Sequence, residues 1–383
     1  MKTVAQHIAA TPEKRDLDWI KSALQTAISL EHATLPLYVA ATYSLEEQSF
    51  TAYNLIRSVA MEEMVHMASV CNILAAMGGT PAIKTLKPVY PSQGLPGGAE
   101  PDLFVCLAPL SRAQLENFMR LEAPLSLVDP KYVHEQYPSI ANFYAAIRAA
   151  IVDNKDAVCA AIKAGGKANQ VGDNIGFSTV VWSDEKTCMD QILVAIDAIT
   201  TQGEGTAKST FHTGRRSEAE ESHFARFAQI CLGRQLGYPG PSAEPRPDTL
   251  KDYFTGFEIP FPTVTNTLVV PRDGYAELLA KDPNRDAVTK DLSTFDTIYS
   301  KMMADLDASW NGDPATWWPT LGAAVEGMAK LRVFSCFTIM KHEVPRDLIA
   351  QLNTLYPDEY AMMDTYTHLD RPVFYGPRFI NMN

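Results

Sequence analysis

Two Glu-x-x-His stretches carry the strongest chemical signal in the sequence: Glu63-Met-Val-His66 and Glu220-Glu-Ser-His223. On a helix, residues i and i+3 share a face, so each pair can aim a carboxylate and an imidazole at one point. Both pairs continue apolar stripes, Val59–Glu63–His66–Val70 and Glu220–His223–Phe227–Ile230. A bare carboxylate on a core-facing stripe is costly, and a metal ion compensates it where several such groups converge. Two further stripes each add one carboxylate: Glu31 follows Leu24 and Ala27, and Glu204 follows Leu193, Ile196 and Thr200. Four Glu and two His from four helices form the ligand set of a two-metal carboxylate bundle. Their negative charges balance two divalent cations. Oxygen and imidazole ligands without thiolate suit two Fe ions, with Mn as the alternative, and argue against a structural zinc site.

Four long helices must position these groups. Helical spacing predicts them over 16–47, with a kink at Pro36, and over 51–77, 186–202 and 217–236. A turn near Ser49–Phe50 falls almost midway between Glu31 and Glu63, so antiparallel helices bring the two to one level. Glu204 and Glu220 flank the loop Thr206–Ser217, expected as a lid, with Gly203 and Gly205 permitting an opened last turn. Residues 80–102, rich in Pro and Gly, read as a loop. Shorter helices over 111–122 and 139–164 complete a crossover spanning 80–185. Beyond it, residues 242–275 are Pro-rich and irregular, and helices return over 284–309 and 315–341. The organisation expected is a bundle over 16–236 and a Pro-rich linker with a mostly helical extension over 237–383.

Several nearby residues admit a second reading. Glu62 lies beside the first motif and is an alternative to Glu63 as ligand. Glu221 reads as solvated. His32 is either a partner of a ligand or a neighbour of the kink, and Asp197 either orients a ligand or faces water. Lys208, His212, Arg215 and Arg216 either hold an anionic substrate or are solvated loop charge. Met61, Met64 and Met67 read as core filler.

Composition narrows the function classes. With 33 Lys and Arg against 45 Asp and Glu, the formal net charge is −12, and no basic run exceeds Arg215–Arg216. Nucleic acid is therefore not an expected partner. Six scattered cysteines with no Cys-x-x-Cys read as reduced thiols in a cytoplasmic protein. The start of the chain lacks a signal-peptide core, and no run of about 18 apolar residues predicts a membrane span.

The runs Glu31-His-Ala-Thr-Leu-Pro-Leu-Tyr38, Glu63-Met-Val-His66 with Leu74-Ala-Ala-Met-Gly-Gly79, and Gln202-Gly-Glu-Gly205 occur in that order. Together they resemble a bacterial ferritin-like domain family, one that includes the ferritin-like domain of iminophenylpyruvate dimer synthase. The resemblance covers about residues 16–236. It implies an all-α, ferritin-like four-helix bundle with a long crossover and a mostly helical C-terminal extension. It matches Glu31, Glu63, His66, Glu204, Glu220 and His223 to metal-ligand positions and adds Glu122 as a further carboxylate. It also implies a setting in secondary metabolism, without the dimerising reaction of the much longer pigment enzyme.

The expected function is that of a non-haem di-iron oxidoreductase that activates dioxygen to oxidise a small organic molecule, with a homodimer as an allowed assembly. The metal centre itself would do the chemistry. The rivals are a di-manganese enzyme that dismutates peroxide and a non-enzymatic iron-storage protein. A scaffold that has lost its metals is a third, and the intact ligand set argues against it.

Overall fold

A computed structural model describes residues 2–46, 50–123, 137–165, 170–172, 177–204, 221–237 and 249–383, with the side chains of residues 50 and 204 left out. Helix α1 is Val4–Ile8, α2 Leu17–Tyr43 and α3 Phe50–Ala76. Asp16 starts α2 by accepting a hydrogen bond from Trp19 N at 2.9 Å. The helix runs on through Pro36, and Tyr90 donates to the Ala33 carbonyl in the turn before it at 2.5 Å. Nearly every residue of α2 from Trp19 to Tyr43 is buried, so α2 is a central rod packed on all sides. Helix α3 is paired with it along its length. The short connection between them makes the pair antiparallel. Helix α3 is long and apolar enough to cross a membrane, but 78% of its most apolar stretch is buried inside the fold.

The expected loop at 80–102 is in part a hairpin. Strands β1 (Ser92–Leu95) and β2 (Ala99–Val105) pair antiparallel, Ser92 opposite Val105 and Leu95 opposite Ala99. Glycine density misled here. Gly97 and Gly98 turn the chain at φ +75° and +72°, a conformation that glycine adopts without strain. The crossover continues through α4 (Arg112–Leu121), α5 (Ile140–Asp153) and α6 (Lys155–Gly165). The helix expected over 139–164 is thus two helices, broken at Asn154, whose side chain accompanies the C-cap by donating to Ala150 O at 2.8 Å.

Helices α7 (Glu185–Glu204) and α8 (His223–Leu232) both pack on α3 and on each other. Helix α7 stays helical through Gly203 to Glu204, with no opened turn before that point. Helix α8 is shorter than the expected 217–236. Ser222 caps it, accepting from Ala225 N at 3.2 Å, so His223 is its first residue and Glu221 precedes the helix. The i, i+3 pairing expected of Glu220 with His223 falls on Glu220, which lies outside the described residues.

The extension begins with α9 (Ala276–Leu279), followed by α10 (Arg285–Asn311), α11 (Trp317–Phe337) and the short helices α12 (Arg346–Ile349), α13 (Leu352–Leu355) and α14 (Tyr360–Tyr366). Helices α10 and α11 form a hairpin. A Cβ on Gly327 would stand 3.1 Å from Met302 Cβ, so α10 and α11 approach closely there. The hairpin covers the bundle: Trp310 donates to Asn72 of α3 at 2.9 Å, and Tyr299 pairs with His32 of α2 at 2.9 Å. One buried apolar cluster runs through both parts.

Candidate metal centre

The site is built on the buried faces of α2, α3 and α8 and the end of α4. Glu31, Glu63, His66, Glu122 and His223 are each at most 8% exposed. They fall into two triads, Glu31–Glu63–His66 and Glu63–Glu122–His223, each with its candidate ligand atoms within 4.8 Å of one another. Glu63 belongs to both. Its Oε1 lies 3.5 Å from His66 Nδ1 and 3.0 Å from His223 Nδ1, and its Oε2 accepts from Thr34 at 3.1 Å. His66 Nδ1 is also 3.7 Å from Glu31 Oε2, and His223 Nδ1 is 3.4 Å from Glu122 Oε2. The two imidazoles are nearly parallel, their centroids 5.6 Å apart.

Each outer group has its own support, and the two halves mirror one another. Tyr144 of α5 donates to Glu31 Oε1, and Tyr38 of α2 donates to Glu122 Oε1. Phe118 and Phe227 hold the Tyr38 ring with centroids 4.8 and 5.1 Å away. His66 Nε2 meets Gln202 Oε1 at 2.7 Å, and His223 Nε2 meets Glu62 Oε2 at 3.0 Å. An acceptor on each Nε2 holds a ring proton there and turns Nδ1 toward the carboxylates, the nitrogen that a metal ion would take in place of a proton. Arg226 in turn holds Glu62 Oε1 at 2.7 Å.

Charge accumulates in this space. Burial, then the Glu63 charge, pushes the Glu31 carboxyl up to about 7. Burial raises Glu63 as well, but the bonds and charges of His223 and His66 outweigh it and hold it well below the usual carboxylate range. Burial alone would lower both imidazoles; their carboxylate partners instead raise His66 to about 10 and raise His223 well above its usual value. Three buried carboxylates around two imidazoles demand positive charge. His223 Nδ1 is buried yet has no hydrogen bond of acceptable direction among the described residues, although Glu63 Oε1 is close to it. Three carboxylates and two imidazole nitrogens converging on one buried space suit a shared cation, which would displace the imidazole protons. A cavity of about 40 Å³ adjoins the triads, lined among others by Leu30, Leu121, Ile140, Ile199 and Gly203.

Of the six expected ligands, the structure brings together Glu31, Glu63, His66 and His223. Glu204 ends α7, but its side chain lies outside the described residues, as does Glu220 altogether. Glu122 joins the cluster directly. Glu62 does not replace Glu63; it supports His223 from behind. Glu221 accepts from Gln229 at 2.5 Å. Asp197 pairs with Arg148 at 2.7 Å on the surface, away from the cluster. His32 faces the extension through Tyr299. Lys208, His212, Arg215, Arg216 and the expected lid lie outside the described residues. Met67 is buried as expected, whereas Met61 is 47% exposed. Tyr38, Tyr144, Thr34, Gln202 and Arg226 were missed as supporting residues. Thr34, Tyr38 and Gln202 stood inside the quoted motifs, where their types alone give no role.

The family model for Ferritin-like proteins matches residues 24–232, more than half of the chain. The chain belongs to the Ferritin-like family. This is the family that the EHATLPLY, Glu-x-x-His and QGEG runs resemble. Among curated proteins, this Ferritin-like chain is similar to the 2-imino-3-(indol-3-yl)propanoate dimerase of Chromobacterium violaceum, 32% identical over 184 residues. That match takes in 45% of the chain but spans only 16% of the dimerase's length. Among solved structures it is similar to a ferritin-like protein from Caulobacter vibrioides, with a TM-score of 0.53 at 20% identity over 83% of this chain and 95% of the other. At that identity the likeness shows the fold alone.

Proposed function

We propose that this Ferritin-like chain is a non-haem di-iron oxidoreductase that uses dioxygen to oxidise a small organic molecule. The observation that carries this reading is the pair of buried Glu/His triads sharing Glu63. In it, Glu31 and His66 would hold one ion and Glu122 and His223 the other, with Glu63 available to both. Glu204 and Glu220 remain the expected additional oxygen ligands. A bound iron pair would supply electrons and open positions for dioxygen.

The chain's own residues do the rest. Tyr144 and Tyr38 fix one oxygen of each outer carboxylate and leave the other for an ion. Gln202 and Glu62 fix the imidazole tautomers. Leu30, Leu121, Ile140 and Ile199 give the cavity an apolar part beside the Glu31, Glu63, His66 and Glu122 that also line it. At about 40 Å³, that cavity takes little more than a water or a diatomic molecule, so the organic substrate must approach from its mouth rather than lie inside it. The dimerase supports a small-molecule substrate, but its short match gives no ground for carrying over its reaction.

Elemental analysis of the chain grown with iron and with manganese tests the reading. About two irons per chain, with oxygen uptake when the reduced protein meets air, is the expected result. Two manganese with peroxide turnover would transfer the site to the dismutating alternative. Less than one ion per chain under both conditions would remove the two-metal reading.

A further inference from the structure

On the far side of the α2–α3 pair lies a second cavity of about 90 Å³, walled by α2, α3 and the α10–α11 hairpin. Its lining is apolar and soft. Met64 and Met67 come from α3, Met302 from α10 and Met328 from α11, with Trp310 and Phe379 beside them. Methionine side chains re-pack around ligands of differing shape at small cost. Cavities of roughly 150 Å³ lined by aliphatic and aromatic groups hold benzene; at about 90 Å³ this one admits a single small ring only as its methionines re-pack.

One polar residue breaks the apolar wall. His32 is 3% exposed and lines the cavity. Its Nε2 is engaged by the Tyr299 hydroxyl at 2.9 Å, while its Nδ1 is buried with no hydrogen-bond partner among the described residues. A buried polar atom left unpaired is destabilising, and a ligand group that pairs with it recovers that cost. The residues on this side of the wall, His32 and Leu35 of α2 and Met64 and Met67 of α3, alternate with Glu31, Thr34, Glu63 and His66 on the other. A molecule in this cavity therefore sits behind the helices that carry the carboxylates and does not touch them.

The geometry points to a second binding site here, for a small, uncharged, largely apolar molecule with one hydroxyl, able to donate or accept, that pairs with His32 Nδ1. The site does not depend on the metal reading. Calorimetric titration of the full chain with phenol and with toluene tests it. Phenol should bind saturably, one per chain, and about tenfold or more tighter than toluene. In His32→Phe that preference should vanish. Met328→Trp, which fills the cavity from the extension and leaves the bundle untouched, should abolish binding of both. Glu63→Ala should leave phenol binding intact, which separates this site from the fate of the metal centre. Absence of saturable phenol binding, equal affinity for phenol and toluene in the unaltered chain, or undiminished binding in Met328→Trp would each overturn the proposal.

Discussion

Glu63 Oε1 stands 3.0 Å from His223 Nδ1, in a direction that does not suit a hydrogen bond. The same oxygen is 3.5 Å from the Nδ1 of His66. A single carboxylate oxygen facing two imidazole nitrogens is the arrangement of a group that two cations could share. Loss of Glu63 should therefore act differently from loss of either outer carboxylate. Glu63→Ala should remove both ions, while Glu31→Ala and Glu122→Ala should each leave one. Metal per chain, measured after identical growth, decides this. Equal losses in all three variants would deny Glu63 its shared role.

The groups behind the imidazoles and carboxylates should set affinity rather than stoichiometry. Gln202→Leu removes the acceptor that holds the His66 proton on Nε2, and Tyr144→Phe removes the donor to Glu31. Each should weaken retention of one ion by about 10–100-fold. Competition against a graded series of chelators measures this, and unchanged competition curves would show that these contacts only pack.

The sequence made one half of this centre legible and hid much of the other. Glu63 and His66 interrupt an unbroken helical stripe, so their shared face follows from spacing alone. Glu122 is the C-cap of α4, at φ −98° and ψ 12°, where helical period no longer applies; only the family resemblance pointed to it. The second Glu-x-x-His looked like the first until the Ser222 cap moved the helix start to His223. In α2, Thr26, Ser29, His32, Thr34 and Thr42 are buried although polar, and what covers its outer face depends on how the α10–α11 hairpin docks. No local pattern encodes that contact, and the cavity at His32 went unseen with it.

Gly203 gives a prediction in which stability and binding move apart. A Cβ there would lie 3.1 Å from Glu122 Oε2, inside normal contact. Gly203→Ala should favour the last turn of α7 by about 0.5–1 kcal/mol. The same methyl group should displace the carboxylate from His223. Thermal unfolding of the metal-free chain should show no loss of stability, while retention of one ion falls. If metal retention is unchanged, Glu122 has slack that the geometry does not show.

The extension is held by a buried ion pair. Arg378 meets Asp296 of α10 through Nη2 at 2.6 Å and Nε at 2.8 Å, and Ile380 N donates to the other carboxylate oxygen at 3.3 Å. Burial raises the Asp296 carboxyl, and Arg378 opposes that rise. Arg378→Met would leave a buried charge uncompensated, at a cost of about 3–5 kcal/mol. Denaturant unfolding should show a midpoint shift of that size, and a change below about 1 kcal/mol would mean that the pair is solvated in solution.

A pH dependence should arise away from the metal centre, at Glu100. This residue is the second of β2, at φ +49°, and its Oε1 accepts from Ile140 N at 3.2 Å. Burial, partly opposed by that bond and by Arg120, pushes its carboxyl up to about 7. A carboxyl raised in the folded state binds its proton more tightly there than in the unfolded chain. Below the ordinary carboxylate value both states are protonated and the fold loses nothing. As pH rises from there to about 7 the unfolded chain ionises first, so stability declines, and above 7 the loss is complete. With a discount for partial exposure, the loss is of order 2 kcal/mol. Glu100→Gln keeps the acceptor without the charge. It should raise the unfolding midpoint at pH 8 and leave it nearly unchanged at pH 4. An equal shift at both pH values would show that charge burial at Glu100 is not the cause.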